Sequence, residues 1–379
     1  MDVESRMELF MRPPTAEVLT VDRLREYLLT GVELKHYIGY EVSGYMHLGT
    51  GVVPIHKVVD LQAAGVDTMI FLADYHSWVN RKLGGDLDTI RRVAGGYYLE
   101  TFKKVIEALG GDPSRTRFVL ASDFYEEMGS EYFRNFLRVS LNVSLSRVRR
   151  SISIMGRREG ESVSFGQLVY VPMQVADIFS LGVNVAHGGI DQRKAHVVAI
   201  ELGDEFGYKP IAIHHRLVLG IGLTEEEVTN IRMALESGDR DRFVDTVLSI
   251  KMSKSLPDTA IFLHDDREDI ERKLRRAYCP PREVKVNPVF SMLENVVYPY
   301  LVRKGLEFVV VNEKTGEEYR FERYEEVVES YLQGGIHPLD LKMAVARYIG
   351  DMLEPVRDFL LRGGGRRFIE ELDSLRITR

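Results

Sequence analysis

The sequence has almost no cysteine and no long apolar runs. Cys279 is the single cysteine in 379 residues, which excludes an intrachain disulfide and a zinc finger of paired cysteines. We expect it to be a small buried thiol. No apolar stretch approaches the roughly 20 residues that span a bilayer, and the acidic opening M-D-V-E-S-R-M-E-L-F is unlike a signal peptide. These absences predict a folded cytoplasmic protein with no membrane partner.

The charge balance is acidic, with a net charge of −7. This argues against non-specific coating of nucleic acid and predicts no DNA partner, but it leaves room for a local basic patch. The stretch S-R-V-R-R-S-I-S-I-M-G-R-R is a candidate for such a patch, although a solvated helix face explains it equally well. The chain is 45% hydrophobic and 28% charged, an ordinary globular composition.

Strands and helices alternate along the first half of the chain. The strand-like run H-Y-I-G-Y is followed by a helical apolar pattern over residues 52–61 and then by the buried strand T-M-I-F-L-A-D. This order is a βαβ unit, which requires parallel pairing. Three further apolar runs, F-V-L-A-S, V-N-V-A-H and P-I-A-I-H, predict more strands. We therefore expect an α/β fold with a Rossmann-like, doubly wound parallel sheet.

The segments between and after these strands divide the chain. We expect the sheet domain over residues 1–222, with a helical insertion at about 124–165. Residues 223–282 would form a linker that carries the loop K-M-S-K-S. After Pro280-Pro281 the pattern becomes helical, which predicts a mostly α-helical C-terminal domain over residues 283–379. Within it, F-V-V-V-N-E-K-T-G-E-E-Y-R-F predicts a short hairpin.

Two glycine-containing turns follow predicted strands, where ligands of such sheets bind. The first, S-G-Y-M-H-L-G-T-G, presents His47 at a helix start, where it could donate to a phosphoryl oxygen or simply cap the turn. The second, H-G-G-I-D-Q-R-K-A-H, presents Asp191, whose carboxylate suits ribose hydroxyls but also suits a helix cap. Together the turns indicate a nucleotide site.

A helix and a loop supply further polar groups. Tyr170, Gln174 and Asp177 are spaced to share one helix face, which predicts the lining of a small-molecule pocket, although a solvent-facing stripe is the alternative. The K-M-S-K-S loop holds two lysines that could stabilise the charge developing on a departing pyrophosphate. Taken alone, a solvated connection explains the loop as well.

The motifs resemble those of a known family. K-M-S-K-S and H-L-G-T are similar to the KMSKS and HIGH signatures of class I aminoacyl-tRNA synthetases. The segments Y-I-G-Y-E-V-S-G-Y-M-H-L-G, L-A-D-Y-H, Y-V-P-M-Q-V-A-D-I, G-G-I-D-Q-R-K and I-H-P-L-D-L-K resemble tyrosyl-tRNA synthetases of the archaeal and eukaryotic type. This resemblance extends from about residue 20 to residue 360. It departs from the family at Thr50, where the HIGH signature usually has its second histidine.

The resemblance implies a role for each matching residue. The tyrosine site would consist of Tyr37, Phe71, His76, Tyr170, Gln174, Asp177 and Gln192, with Tyr37 and Asp177 at the substrate hydroxyl. The ATP site would consist of His47, Gly49, Thr50, Gly189, Asp191, Lys251, Met252, Ser253, Lys254 and Ser255. Of these, His47, Lys251 and Lys254 would be catalytic. The tRNA contacts would be Arg150 and Arg193 at the acceptor stem and His337 and Asp340 at the anticodon.

The resemblance also implies the reaction and the partners. The chain would activate L-tyrosine with ATP, accompanied by Mg²⁺ but with no bound structural metal, and would transfer tyrosyl to tRNA(Tyr) as a homodimer. The nearest alternative is a tryptophanyl-tRNA synthetase, although a Tyr37 and Asp177 pair suits a phenol, which both donates and accepts. More distant alternatives are a small-metabolite nucleotidyltransferase and a tRNA-binding paralogue without activity. Pyrophosphate exchange with each amino acid would separate them.

Overall fold

A six-stranded sheet forms the centre of the fold. The computed structural model describes residues 1–155, 162–252 and 257–375. The strands of the central sheet are β1 (Thr15–Leu19), β2 (His36–Tyr40), β3 (Thr68–Leu72), β4 (Thr116–Leu120), β5 (Val185–Gly189) and β6 (Ile211–His215). A separate hairpin consists of β7 (Phe308–Val311) and β8 (Glu318–Phe321). The hairpin confirms the one that the sequence predicts in the C-terminal region.

Helices surround the sheet and make up most of the remaining chain. Up to the last sheet strand they are α1 (Val3–Met11), α2 (Val21–Thr30), α3 (Leu48–Gly51), α4 (Val53–Ala63), α5 (Asp74–Val79), α6 (Leu87–Val93), α7 (Leu99–Ala108), α8 (Ala121–Met128), α9 (Ser130–Asn142), α10 (Leu145–Arg150), α11 (Phe165–Leu168), α12 (Tyr170–Ser180), α13 (Arg193–Glu201) and α14 (Gly203–Phe206). After the sheet they are α15 (Glu225–Glu236), α16 (Arg240–Ile250), α17 (Arg267–Arg276), α18 (Pro288–Met292), α19 (Tyr298–Lys304), α20 (Tyr324–Gln333), α21 (Pro338–Leu361) and α22 (Arg366–Ser374).

The strand order confirms the predicted doubly wound sheet. The order is β1-β6-β5-β2-β3-β4, and all pairs from β6 to β4 are parallel. The chain moves outward from β2 first through β3 and β4, and later through β5 and β6 on the other side. Each of the five predicted strands is present, within two residues of its expected position. The reversal of direction lies between β2 and β5.

Strand β1 was not predicted from the sequence. It pairs antiparallel with β6 at the edge of the sheet, with Val18 opposite Ile213. The strand is only five residues long and carries the charged Glu17, so it lacks the continuous apolar pattern of the buried strands. An edge strand needs only one partner, and its formation here depends on β6, which lies almost 200 residues later in the chain.

The apolar core continues from the sheet region into the C-terminal helices. One cluster of buried residues contains Ile55 of α4, Phe102 of α7 and Ile349 of α21. Beside it, the buried Asp60 of α4 bonds to Lys57, at 3.2 Å, and to Arg303 of α19, at 2.8 Å. Because a buried carboxylate requires such partners, this contact fixes α4 against the C-terminal region. Cys279 is buried, as predicted.

Residues 223–282 contain more regular structure than a linker. Helices α15 and α16 form a hairpin with a small apolar core of its own, which includes Val228, Ile231 and Val247. Thr224 caps α15 through a capping box with Glu227. Helix α16 ends at Ile250, directly before the K-M-S-K-S loop. The hairpin therefore sets the position from which the loop starts.

Candidate active site

A large cleft lies where the strand order reverses, at the carboxyl ends of β2 and β5. In doubly wound sheets this reversal leaves a crevice in which ligands bind. The volume of the cleft is about 2390 Å³, whereas a typical small-molecule pocket occupies roughly 300–1,000 Å³. The cleft therefore has room for more than one ligand.

The turn after β2 places His47 at the start of a helix. His47 is the N-cap of α3, and its ring Nδ1 accepts a hydrogen bond from the Gly49 N–H at 3.2 Å. Because Nδ1 accepts, the proton of the neutral ring lies on Nε2, which is then a donor. The Thr50 hydroxyl accepts from the His47 backbone N–H at 3.2 Å and completes a capping box. Thr50 therefore has a structural partner within the turn.

This first turn is bonded to the segment that follows the K-M-S-K-S loop. The Leu48 N–H donates to the Ile261 carbonyl at 3.0 Å, and the Leu263 N–H donates to the Met46 carbonyl at 3.1 Å. These backbone bonds form a short antiparallel bridge around His47 and Phe262. Two segments that are more than 200 residues apart in sequence thus share one wall of the cleft.

The turn after β5 places Asp191 opposite Lys251. The Lys251 Nζ lies 3.1 Å from the Asp191 Oδ2. Burial would raise the pKa of Asp191, but the contact with Lys251 holds this pKa below its usual value. A Cβ at position 189 would lie 2.3 Å from the Asp191 Oδ1, so a larger residue there would displace this carboxylate. The result is an ionised carboxylate folded closely against the strand end.

The K-M-S-K-S loop starts from an anchored position. The Met252 N–H donates to the Val218 carbonyl at 3.1 Å, and the Gly220 N–H donates to the Ile250 carbonyl at 2.8 Å. Lys251 and Met252 line the cleft. The remaining three residues of the motif, Ser253, Lys254 and Ser255, lie outside the described residues. Their expected contact with ATP stays a prediction.

Helix α12 lines the inner part of the cleft. Tyr170, Gln174 and Asp177 all face it, so these residues share one helix face as the sequence indicates. The Gln174 side chain donates to the Gln192 Oε1 at 3.2 Å. This bond joins α12 to the turn after β5. Their assignment to a bound tyrosine stays a prediction.

Four of the residues expected around tyrosine form an aromatic wall. The rings of Tyr37 on β2 and Phe71 on β3 meet edge to face with centroids 5.8 Å apart. His76 on α5 packs in the same way against Tyr170, at 4.7 Å. Burial lowers the pKa of His76 to about 3. His76 is therefore neutral at physiological pH, and all four side chains suit an aromatic ligand.

Asp177 has two partners that the sequence did not reveal. The hydroxyls of Tyr125 and Tyr132 donate to the Asp177 Oδ1 at 2.8 and 2.9 Å. Burial raises the pKa of Asp177 to about 7, although these two hydrogen bonds oppose the rise. The other oxygen, Oδ2, has no hydrogen-bond partner among the described residues and lies 3.5 Å from the His76 Nε2. Asp177 thus keeps one oxygen for a further donor.

The four expected tRNA residues lie in three places. Arg150, at the end of α10, lines the mouth of the cleft. Arg193 lies outside the cleft and pairs with Glu17 of β1 at 3.0 Å. In the C-terminal region the exposed His337 caps α21, and the buried Asp340 accepts from a backbone N–H of the β7–β8 turn. The contacts of these residues with tRNA stay predictions.

The described part of the chain contains neither a metal-binding cluster nor a membrane-spanning helix. Residues 1–155, 162–252 and 257–375 contain no group of three or more His, Cys, Asp or Glu side chains that could hold a metal ion. None of the helices in these ranges is long and apolar enough to cross a membrane.

Comparison with known proteins identifies the family. The sequence matches the family described as tRNA synthetases class I (W and Y) over residues 30–354. The chain belongs to this family. It is a class I aminoacyl-tRNA synthetase, and the matched region includes the central sheet from β2 to β6, the two signature motifs and most of the C-terminal helices. Synthetases of this family use ATP as a substrate.

Individual relatives extend the match to the whole chain. A tyrosine–tRNA ligase of Pyrobaculum calidifontis is 46% identical over 100% of both chains. One from Thermococcus sibiricus is 45% identical, again over 100% of both. The crystal structure of tyrosyl-tRNA synthetase complexed with L-tyrosine from Pyrococcus horikoshii has 43% identity and a TM-score of 0.89, and it covers 99% of this chain and 100% of its own. These relatives favour the tyrosine interpretation over the tryptophan alternative.

Proposed function

We propose that the chain is a tyrosine–tRNA ligase, which activates L-tyrosine with ATP and transfers the tyrosyl group to tRNA(Tyr). The observation that carries the proposal is the inner end of the cleft, where the buried Asp177 keeps one acceptor oxygen among aromatic side chains. A phenol fits this end because its ring packs on the aromatic wall and its hydroxyl donates to the carboxylate. An indole N–H could also donate to Asp177, but it could not accept a hydrogen bond from the Tyr37 hydroxyl as a phenol can.

The remainder of the cleft suits the ATP half of the reaction. The tyrosine carboxylate attacks the α-phosphate of ATP, which forms tyrosyl-adenylate and releases pyrophosphate. The His47 Nε2 donates to a phosphate oxygen, and Asp191 accepts from ribose hydroxyls in place of Lys251. Lys251 and Lys254 then stabilise the charge on the departing pyrophosphate. Mg²⁺ enters with ATP as a counterion of its phosphates.

The tRNA spans two parts of the molecule in this proposal. Arg150 and Arg193 hold the acceptor stem near the mouth of the cleft, and a terminal ribose hydroxyl attacks the carbonyl carbon of the adenylate, which releases AMP. His337 and Asp340 read an anticodon base in the C-terminal domain. Phosphate contacts would position the tRNA, and base contacts would select it. We place this reaction in the cytoplasm, where translation supplies its substrates.

The decisive experiment is amino-acid-dependent exchange of labelled pyrophosphate into ATP across the twenty amino acids. We expect exchange with tyrosine and much weaker exchange with phenylalanine and tryptophan. A site that binds a hydroxyl through buried polar groups rejects the analogue without it, because those groups are left unpaired. Preferred exchange with tryptophan would favour the alternative synthetase, and no exchange with any amino acid would favour the inactive paralogue.

A homodimer is part of the proposal, and α9 supports it. Phe133, Leu137 and Leu141 recur as a stripe at every fourth residue along this helix and are 57%, 42% and 86% exposed. Leu145, at the start of α10, is exposed as well. Contiguous exposed apolar side chains of this kind mark protein interfaces. Two copies of one helix face can pack against each other around a twofold axis.

Size-exclusion chromatography with light scattering measures the mass of the protein and tests the dimer directly. Phe133→Asp combined with Leu141→Asp places charges in the stripe, so the protein should elute as a monomer of half the mass. Leu29→Asp is the matched control, because Leu29 is similarly exposed but lies on α2, away from the stripe. A monomeric unsubstituted protein, or a dimer that survives the double substitution, would contradict this interface.

A further inference from the structure

The surroundings of Asp177 point to an additional pair of functional residues. Tyr125 lies on α8 and Tyr132 on α9, and their rings stack with centroids 4.0 Å apart. Both hydroxyls donate to the same oxygen of Asp177, at 2.8 and 2.9 Å. Neither tyrosine belongs to the expected tyrosine site. The inference below rests on the proposed function.

The two hydrogen bonds have a consequence for each oxygen of the carboxylate. Oδ1 is occupied by two donors, so Oδ2 is the oxygen that remains for a third. Hydrogen bonds from neutral hydroxyls favour the ionised carboxylate, and they therefore work against the effect of burial. The two hydrogen bonds also restrict rotation of the carboxylate, because turning it would break both of them.

We propose that Tyr125 and Tyr132 are positioning residues, which keep Asp177 ionised and direct its Oδ2 toward the hydroxyl of the substrate. In this arrangement the specificity for tyrosine depends on two phenols of the protein as well as on the carboxylate that contacts the ligand. Without them, Asp177 would be more often protonated at neutral pH. A protonated Asp177 penalises phenylalanine less, because a neutral carboxyl is cheaper to leave unpaired than a charged one.

The pKa of Asp177, about 7, falls between pH 6 and pH 9, where its neighbours do not titrate. The titratable side chains that face it come from four other elements and from its own helix: Tyr37 (β2), His76 (α5), Tyr125 (α8), Tyr132 (α9) and Tyr170 (α12). Burial lowers the pKa of His76 to about 3 and raises the pKa of every one of these tyrosines. Between pH 6 and pH 9 these neighbours keep their neutral form.

The experiment measures kcat/KM for pyrophosphate exchange with tyrosine and with phenylalanine between pH 6 and pH 9. The ratio of the two values is informative, because groups common to both reactions cancel, including the amino group of the substrate. In the unsubstituted protein the ratio should rise as Asp177 ionises. In Tyr132→Phe and Tyr125→Phe the rise should move upward by about one pH unit, since each variant loses a hydrogen bond to the ionised form. At pH 7, where about half of Asp177 is ionised in the unsubstituted protein, the ratio should fall roughly fivefold.

Two further variants separate positioning from a structural role. Tyr208 is another largely buried tyrosine, and its hydroxyl donates to the Ile178 carbonyl of the same helix without contacting Asp177. Tyr208→Phe should therefore leave the pH profile of the ratio unchanged, even if it lowers stability. In an Asp177→Asn background, Tyr132→Phe should have no additional effect on the ratio. Tyr132 is only half-buried, so its variant decides the matter if Tyr125→Phe fails to fold.

The outcomes also distinguish this inference from the proposed function. If tyrosine is activated but Tyr132→Phe keeps the pH profile of the unsubstituted protein, the positioning role is wrong and the ligase assignment stands. A flat ratio in the unsubstituted protein would likewise overturn the inference, because Asp177 would not be reading the hydroxyl through its charge. If tyrosine is not activated at all, the proposed function itself fails.

Discussion

Replacing Asp177 by asparagine should make the folded protein more stable relative to the unsubstituted protein as the pH rises. Burial raises the pKa of Asp177 from 3.8 to about 7. The folded state therefore holds the proton more tightly than the unfolded state does. Between pH 4 and about pH 7 Asp177 is ionised in the unfolded state but mostly protonated in the folded state. The free energy of unfolding therefore falls as the pH rises through this range. Asparagine has nearly the same shape and no proton to lose.

The magnitude follows from the size of the shift. Each pH unit between the two pKa values corresponds to about 1.36 kcal/mol. Between pH 5 and pH 8 the stability of Asp177→Asn relative to the unsubstituted protein should increase by about 2 to 3 kcal/mol. The comparison of two pH values cancels any pH-independent effect of the substitution on the hydrogen bonds of Tyr125 and Tyr132.

Guanidinium unfolding of the two proteins at pH 5 and pH 8 measures this difference. The same variant should lose most of its preference for tyrosine over phenylalanine, because an amide carries no charge for the substrate hydroxyl. A stability difference that is constant with pH would refute the reasoning, since Asp177 would then titrate equally in the folded and unfolded states. Ionised Asp177 would then not destabilise the folded protein, and the substrate hydroxyl would have no such destabilisation to offset.

Three further predictions concern the rest of the site. Lys251→Ala should slow adenylate formation, measured by stopped flow, while the KM for tyrosine changes little, because Lys251 faces Asp191 and not the aromatic wall; Lys254→Ala should behave alike. Asp191→Ala should lower pyrophosphate exchange with tyrosine and phenylalanine equally, and an altered ratio would contradict its assignment to ribose. His337→Asn keeps a good helix cap, so it should weaken tRNA charging but spare exchange, and reduced exchange would show that its role is structural.

The sequence predicted the parts of the fold that depend on local patterns. Strands β2 to β6 overlap the apolar runs of the sequence, and His47 and Asp191 lie in the turns that follow β2 and β5, so their meeting at one edge of the sheet follows from parallel pairing. Asp177 was identified because helical spacing placed it on one face with Tyr170. Each of these inferences needs only neighbouring residues and the geometry of regular structure.

The features that were missed depend on contacts between distant segments. Tyr125 and Tyr132 lie about 50 residues before Asp177, in a region whose sequence indicates helices but not which faces of them meet α12. Strand β1 becomes a strand only because β6 offers an edge. The pairing of Lys251 with Asp191 likewise joins two turns that are 60 residues apart. Periodicity carries no information about such pairs.

The continuous core beneath the cleft bears on how the protein can be divided. Ile55 and Phe102 share an apolar cluster with Ile349, and Arg303 contributes to the neutralisation of the buried Asp60. A fragment ending before the C-terminal helices would expose that cluster and leave Asp60 with one cation fewer. We therefore expect the two functional regions to melt in a single calorimetric transition. Grafting the C-terminal region of a relative onto this chain would require transplanting the facing surface of α4 and α7 with it.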